Sequence, residues 1–159
     1  IKNVKGIKLI DKDDIPKIID RHILILQMPH EYPTVKPAVF FEDPSYSIYH
    51  PNVDIEKRDL CYTREWHPAF SDLCFACIQI VNLIQYRSVN LNDDDARMNP
   101  DAKKWYLSYK NLHPEFFPLG NTILQDLLWE RKEAIRKKNA GIILTIKPSV
   151  SGWRPTSNP

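Results

Sequence analysis

The sequence predicts an α+β domain, on three observations. Strand-like segments follow one another with no helical run between them. Helical periods begin only later, at Leu73. Between the two regions lies a long aromatic-bearing stretch with no regular period. A chain of 159 residues fits one domain that can bury a core without disulfide staples.

Residues 1–10 alternate loosely and read as a strand, closed by Asp11-Lys12-Asp13-Asp14, with Pro16 blocking a helix there. The run His22-Ile23-Leu24-Ile25-Leu26-Gln27 makes 21–28 a second strand, ended by Pro29. Tyr32-Pro33 and Lys36-Pro37 mark a turn with extended geometry. A third strand covers 38–41 and stops at Asp43-Pro44, so an antiparallel meander is expected. Residues 45–69 lack a period, and irregular segments of that length in compact domains are usually functional or disordered. Tyr46, Tyr49, Tyr62 and Trp66 argue against disorder.

Ser71-Asp72 supplies N-cap chemistry for a helix to about residue 86, apolar on nearly every face and so expected to be buried and central. Residues 90–100 form a polar loop. Asn99-Pro100-Asp101 opens a second helix carrying Trp105, Tyr106 and Tyr109. His113-Pro114 and Phe117-Pro118 interrupt the chain. Asn121-Thr122 caps a third helix, 122–139, whose stripe is Ile123, Leu124, Leu127, Leu128 and Ile135. Asn139-Ala140-Gly141 ends it. Residues 142–146 read as strand, followed by a Pro/Ser/Gly tail that needs an outside partner to be ordered.

Composition excludes several classes. Hydrophobic content of 43% and charged content of 26% are those of a globular domain. A net charge of +2 leaves no footprint for nucleic acid, and the basic clusters at 131–132 and 136–138 sit among acids on one helix face. The longest apolar run, 73–84, is too short to span a bilayer. Three cysteines without framework spacing point to a reducing compartment, cytoplasmic or nuclear. The first residue is Ile1, so a fragment is expected and an organellar address stays open.

The chemistry-bearing residues cluster in the irregular stretch: His50-Pro51-Asn52-Val53, then Cys61, then Trp66-His67-Pro68-Ala69. A cysteine can carry an acyl group as a thioester, and a neighbouring Asn amide can donate to the oxyanion formed on transfer. An unperturbed thiol is only a few per cent ionised at neutral pH, and Arg58 and Arg64 flank Cys61 closely enough in sequence to raise that fraction. The bland alternative for Cys61 is a small buried residue. Cys74 and Cys77 form a Cys-x-x-Cys inside an apolar helix with no second ligand pair, so a core role is expected rather than zinc or redox work. Asp93-Asp94-Asp95 reads as a solvated loop with one working carboxylate, not a metal site; no cofactor is expected.

In this order the signals resemble the ubiquitin-conjugating enzyme family. The elements are Met28-Pro29, Tyr32-Pro33, Pro37 and Phe40-Phe41; Tyr49-His50-Pro51-Asn52-Val53; Leu60-Cys61; Trp66, Pro68 and Ala69; the apolar helix; and Asp94-Asp95 ahead of Asn99-Pro100 and Ala102. They span 21–109. The resemblance implies a UBC-like α+β fold over 1–115, a four-stranded antiparallel meander followed by a buried helix and C-terminal helices, with the family's first helix missing and 116–159 as an extension. It implies that Cys61 accepts ubiquitin or a ubiquitin-like protein from an activating enzyme. Asn52 would stabilise the oxyanion or brace the active-site loop, with His50 and Pro51 shaping the turn. Asp94 or Asp95 would orient and deprotonate the incoming lysine. Phe40, Phe41, Pro68 and Ala69 would form the surface gripped by a ubiquitin ligase.

Two departures from the family pattern carry the alternative. The stretch from His50 to Cys61 is one residue longer and has no glycine, and that from Cys61 to Trp66 is shorter, with Tyr62-Thr63-Arg64 in place of a short helical turn. Inactive family members keep the fold and act as adaptors or subunits of larger complexes, here through the C-terminal extension. An unrelated α+β domain is the third reading.

Overall fold

The computed structural model describes residues 1–10, 15–92, 98–120 and 145–148. The expected third helix at 122–139 lies outside them. Strand β1 (Lys2–Ile10) pairs antiparallel with β2 (Pro16–Arg21), Gly6 opposite Ile19 and Ile7 opposite Ile18. The pairing shifts register between Lys2 and Gly6, where Asn3 takes φ 63°, a left-handed conformation that Asn tolerates better than most side chains. Pro16 costs nothing at the first position of a strand. Strand β3 (Leu24–Met28) pairs antiparallel with β4 (Ala38–Phe41), placing Leu24 opposite Phe41 and Leu26 opposite Val39, all four buried. A fifth strand, β5 (Thr145–Pro148), lies parallel to β3 on its other edge, with Leu26 opposite Ile146.

The described strands therefore form two sheets, β1-β2 and β4-β3-β5, instead of one four-stranded ladder. The strand expected at 21–28 begins only at Leu24: Arg21 ends β2, and Ile23 lies in the link between the two strands together with His22. Its ring is buried, with Nε2 2.9 Å from the Val4 carbonyl and Nδ1 3.3 Å from that of Tyr46. What precedes it, β2, is a separate strand.

Helix α1 (Leu73–Ile84) starts where the Asp72 carboxylate accepts the Phe75 N–H at 2.8 Å. Ala76, Ile80, Val81, Leu83 and Ile84 face the β-sheet core with Val4, Leu24, Leu26, Val39 and Phe41. The helix is not buried all round: Cys74 and Ile78 are exposed. Helix α2 (Pro100–Leu112) is capped by Asn99, whose side chain accepts the Ala102 N–H at 2.9 Å. It builds a second, aromatic core in which Trp105 and Tyr106 pack with Ile7, Tyr86 and Leu119, and Phe117 sits edge-on to both rings. Among the described residues, no helix is long and apolar enough to cross a membrane.

Gly6 lies where β1 packs against Ile84 of α1, with Ile48 and His22 also beside it. A Cβ there would sit 2.9 Å from Ile48 Cγ2 and 3.0 Å from both His22 Cε1 and Ile84 Cγ2, closer than packed carbons approach. Gly6→Ala is therefore expected to destabilise the fold by about 1–3 kcal/mol, read as a lower urea midpoint at unchanged slope. An unchanged midpoint would show that β1 can move away from α1 at no cost.

Candidate functional site

The irregular stretch is held by hydrogen bonds into both sheets. Tyr49 N–H donates to Ile7 O (2.6 Å), Leu60 N–H to Val39 O (2.9 Å) and Phe41 N–H to Arg58 O (3.0 Å). Residues 53–60 form a tight excursion closed by Asp54 N–H to Asp59 O, with Val53 bridged to Leu60. Its closing bonds leave Asn52 and Cys61 side by side, Cys61 N–H donating to Asn52 O at 3.0 Å.

His50 sits at the root of this excursion, fully buried, its ring 4.4 Å from that of Tyr86. Nδ1 accepts the Asn52 N–H at 3.0 Å, which fixes the proton of the neutral ring on Nε2. Burial drives its pKa down to about 3. The imidazole is thus neutral at physiological pH and serves to shape the turn.

Asn52 is buried and its carboxamide is engaged on both sides. Nδ2 donates to Asn90 O and Oδ1 accepts the Asn90 N–H, each at 2.8 Å. One side chain thereby ties the cysteine-bearing segment to the chain following α1. Asn90 Oδ1 in turn accepts the Asn92 N–H at 3.0 Å. One Nδ2 hydrogen of Asn52 is not consumed by these bonds. Asp94 and Asp95, the expected carboxylates, lie outside the described residues.

Cys61 is half-buried and lines a cavity of about 310 Å³ together with Asn52, Phe75, Gln79, Ser88 and Asn90. That volume is at the lower end of those that hold small ligands. The segment after Cys61 is anchored to the Tyr-Pro region. Tyr62 is buried and its hydroxyl donates to Pro37 O at 2.9 Å, and burial raises its pKa. Lys36 Nζ donates to Thr63 O at 2.6 Å, and Trp66 Nε1 to Pro33 O at 2.7 Å. Trp66 also packs edge-on against Phe75, joining this anchor to α1 and the cavity wall. The anchoring roles of Lys36 and Tyr62 are not legible in the sequence, because they depend on a contact between distant segments.

Of the two flanking arginines, Arg64 lines the cavity, whereas Arg58 turns away. Its backbone is left-handed (φ 60°) and its guanidinium donates to Glu42 O at 2.7 Å, at the end of β4. Of the two phenylalanines expected at a ligase surface, Phe41 is 1% exposed and packs in the core opposite Leu24. Phe40, on the opposite face of β4, is half-buried. Pro68 and Ala69 are exposed, in a turn closed by Phe70 N–H to His67 O at 2.9 Å. Phe70, which the sequence reading passed over, is 87% exposed and extends that apolar turn. Cys74 is exposed and Cys77 half-buried, so the core role expected for the pair does not hold for Cys74. Among the described residues, no group of three or more His, Cys, Asp or Glu is placed to hold a metal ion.

Comparison with protein-family models, curated proteins and solved structures found no match to this chain.

Proposed function

We propose that this chain carries ubiquitin or a ubiquitin-like protein as a thioester on Cys61 and passes it to a lysine amine, with the UBC-like architecture its sequence resembles. One observation carries the reading: a partly accessible thiol and a rigidly held carboxamide line the same cavity, their backbones joined by the Cys61–Asn52 hydrogen bond. Charging is attack of the Cys61 thiolate on the thioester of an activating enzyme. Discharge is attack of an amine on the Cys61 thioester, through a tetrahedral oxyanion that the spare Asn52 N–H can stabilise. Asp94 or Asp95 takes the amine proton in this reading. Pro68, Ala69 and Phe40, with Phe70 added, form the ligase surface.

The test is incubation with activating enzyme, ATP and a panel of ubiquitin-like proteins, read on a non-reducing gel. The expected product is an adduct lost on reduction, absent in Cys61→Ala and present in Cys74→Ser and Cys77→Ser. The second reading is an inactive adaptor, favoured by the short Cys61–Trp66 segment, which Lys36, Tyr62 and Trp66 tie to the Tyr-Pro region. No adduct with any modifier would leave that reading standing.

A further inference from the structure

We propose that Cys74 and Cys77 form a reversible dithiol–disulfide site, oxidised by low-molecular-weight disulfides such as oxidised glutathione, whose closure loosens the first turn of α1. The inference does not depend on the transfer chemistry assigned to Cys61. Both residues lie at the start of α1, Cys74 second and Cys77 fifth in the helix. A three-residue separation on an α-helix puts the two Cα atoms about 5 Å apart, inside the roughly 4.4–6.8 Å that a disulfide spans. Helical Cβ atoms at this separation are about 5–6 Å apart, whereas a disulfide brings them to about 3.8 Å. Closing the bond therefore requires the helix to give. The turn that must give is held by the Asp72 cap on Phe75, by Ala76 N–H to Asp72 O at 3.0 Å and by the helical ladder that follows, with Ala76 buried in the core between the two thiols. As the first turn it has the fewest ladder bonds to lose.

The two thiols differ in a way that orders the steps. Cys74 is exposed and meets the oxidant; Cys77 is half-buried, and burial with the neighbouring Cys74 holds its thiol above the ordinary range. Cys74 gives its proton to solvent and attacks the glutathione disulfide. The S–S bond breaks, one glutathione leaves as thiolate and is protonated, and a mixed disulfide remains on Cys74. Cys77 then loses its proton and attacks the Cys74 sulfur, releasing the second glutathione. The pair gives up two electrons and two protons, and one oxidised glutathione becomes two reduced molecules. A disulfide that strains its helix is an oxidising, easily reduced one, suited to switching. Phe75, between the two cysteines, and Gln79 line the Cys61 cavity, so the switch moves a wall of that cavity.

The experiment uses the full chain in a graded series of oxidised and reduced glutathione, alkylated, digested with trypsin and read by mass spectrometry. Trypsin separates the thiols: Cys61 falls in the peptide 59–64 and the pair in 65–87. The expected result is an internal disulfide in 65–87, reversed by dithiothreitol. In Cys77→Ser, chemistry should stop at a glutathione adduct on Cys74 that lives roughly a hundredfold longer than the transient adduct of the parent. Two free thiols at the most oxidising ratio, or a lasting adduct on either cysteine of the parent, overturns the proposal. Amide exchange at 75–77 should rise about tenfold or more in the oxidised form. Unchanged exchange overturns the loosening of the turn.

Discussion

Asn52→Ala slows discharge of a pre-charged Cys61 to free lysine by about a hundredfold or more, the loss seen when one oxyanion donor is removed. The substitution deletes both bonds to the Asn90 backbone. A buried amide or carbonyl left without a partner costs about 1–3 kcal/mol, so the urea midpoint falls as well. The two roles of the carboxamide separate in Asn52→Asp. A carboxylate still accepts the Asn90 N–H, but it has no hydrogen for Asn90 O or for a developing oxyanion. If bracing is the larger role, stability and single-turnover discharge decline together across the two variants. If oxyanion donation is the larger, Asn52→Asp loses rate out of proportion to stability. Discharge at the parental rate in both would remove Asn52 from the chemistry.

The second large effect is on acid stability. Folded His50 titrates near 3 while an unfolded histidine titrates near its ordinary value of about 6.5. Between these values the unfolded chain binds a proton that the folded chain refuses. Stability from this residue is fully present above pH ~6.5 and is lost as pH falls toward 3. At about two units below 6.5 the loss is about 3 kcal/mol from His50 alone. The local cause is geometric: protonating Nδ1 would set a second donor against the Asn52 N–H that it now accepts. His22 contributes in the same direction, because burial outweighs the two carbonyls facing its ring. Urea unfolding between pH 4 and pH 7 should show a slope that shallows in His50→Asn, whose amide oxygen can take over the acceptor role. An equal slope in both proteins would sink the assignment.

What could be read from residues alone was mostly local. The caps at Asp72 and Asn99, Pro100 in the first turn of α2, and the short strand at 38–41 ahead of Asp43-Pro44 are near-neighbour chemistry, and each stands where its local residues place it. Phe40 and Phe41 show where that stops. A strand's period says that one faces in and the other out, but the pairing of Leu24 with Phe41 decides which. His22 looked like part of a strand because its partners, Val4 and Tyr46, come from elsewhere in the chain. Cys74 looked like core because an apolar helix gives no sign of which turn projects beyond the layer it packs on. The juxtaposition of Asn52 and Cys61 was legible as spacing; the brace from Asn52 to Asn90 was not.

The parallel strand at Thr145–Pro148 sets a schedule for folding. It pairs Leu26 with Ile146 across most of the chain, whereas β3 meets β4 over a short turn. Contacts that distant form late, because the intervening chain must surrender its freedom before the ladder rewards it. During synthesis the edge of β3 therefore waits open until Thr145–Pro148 emerges, and a chain cut short before Thr145 keeps that edge available for pairing with another copy of itself.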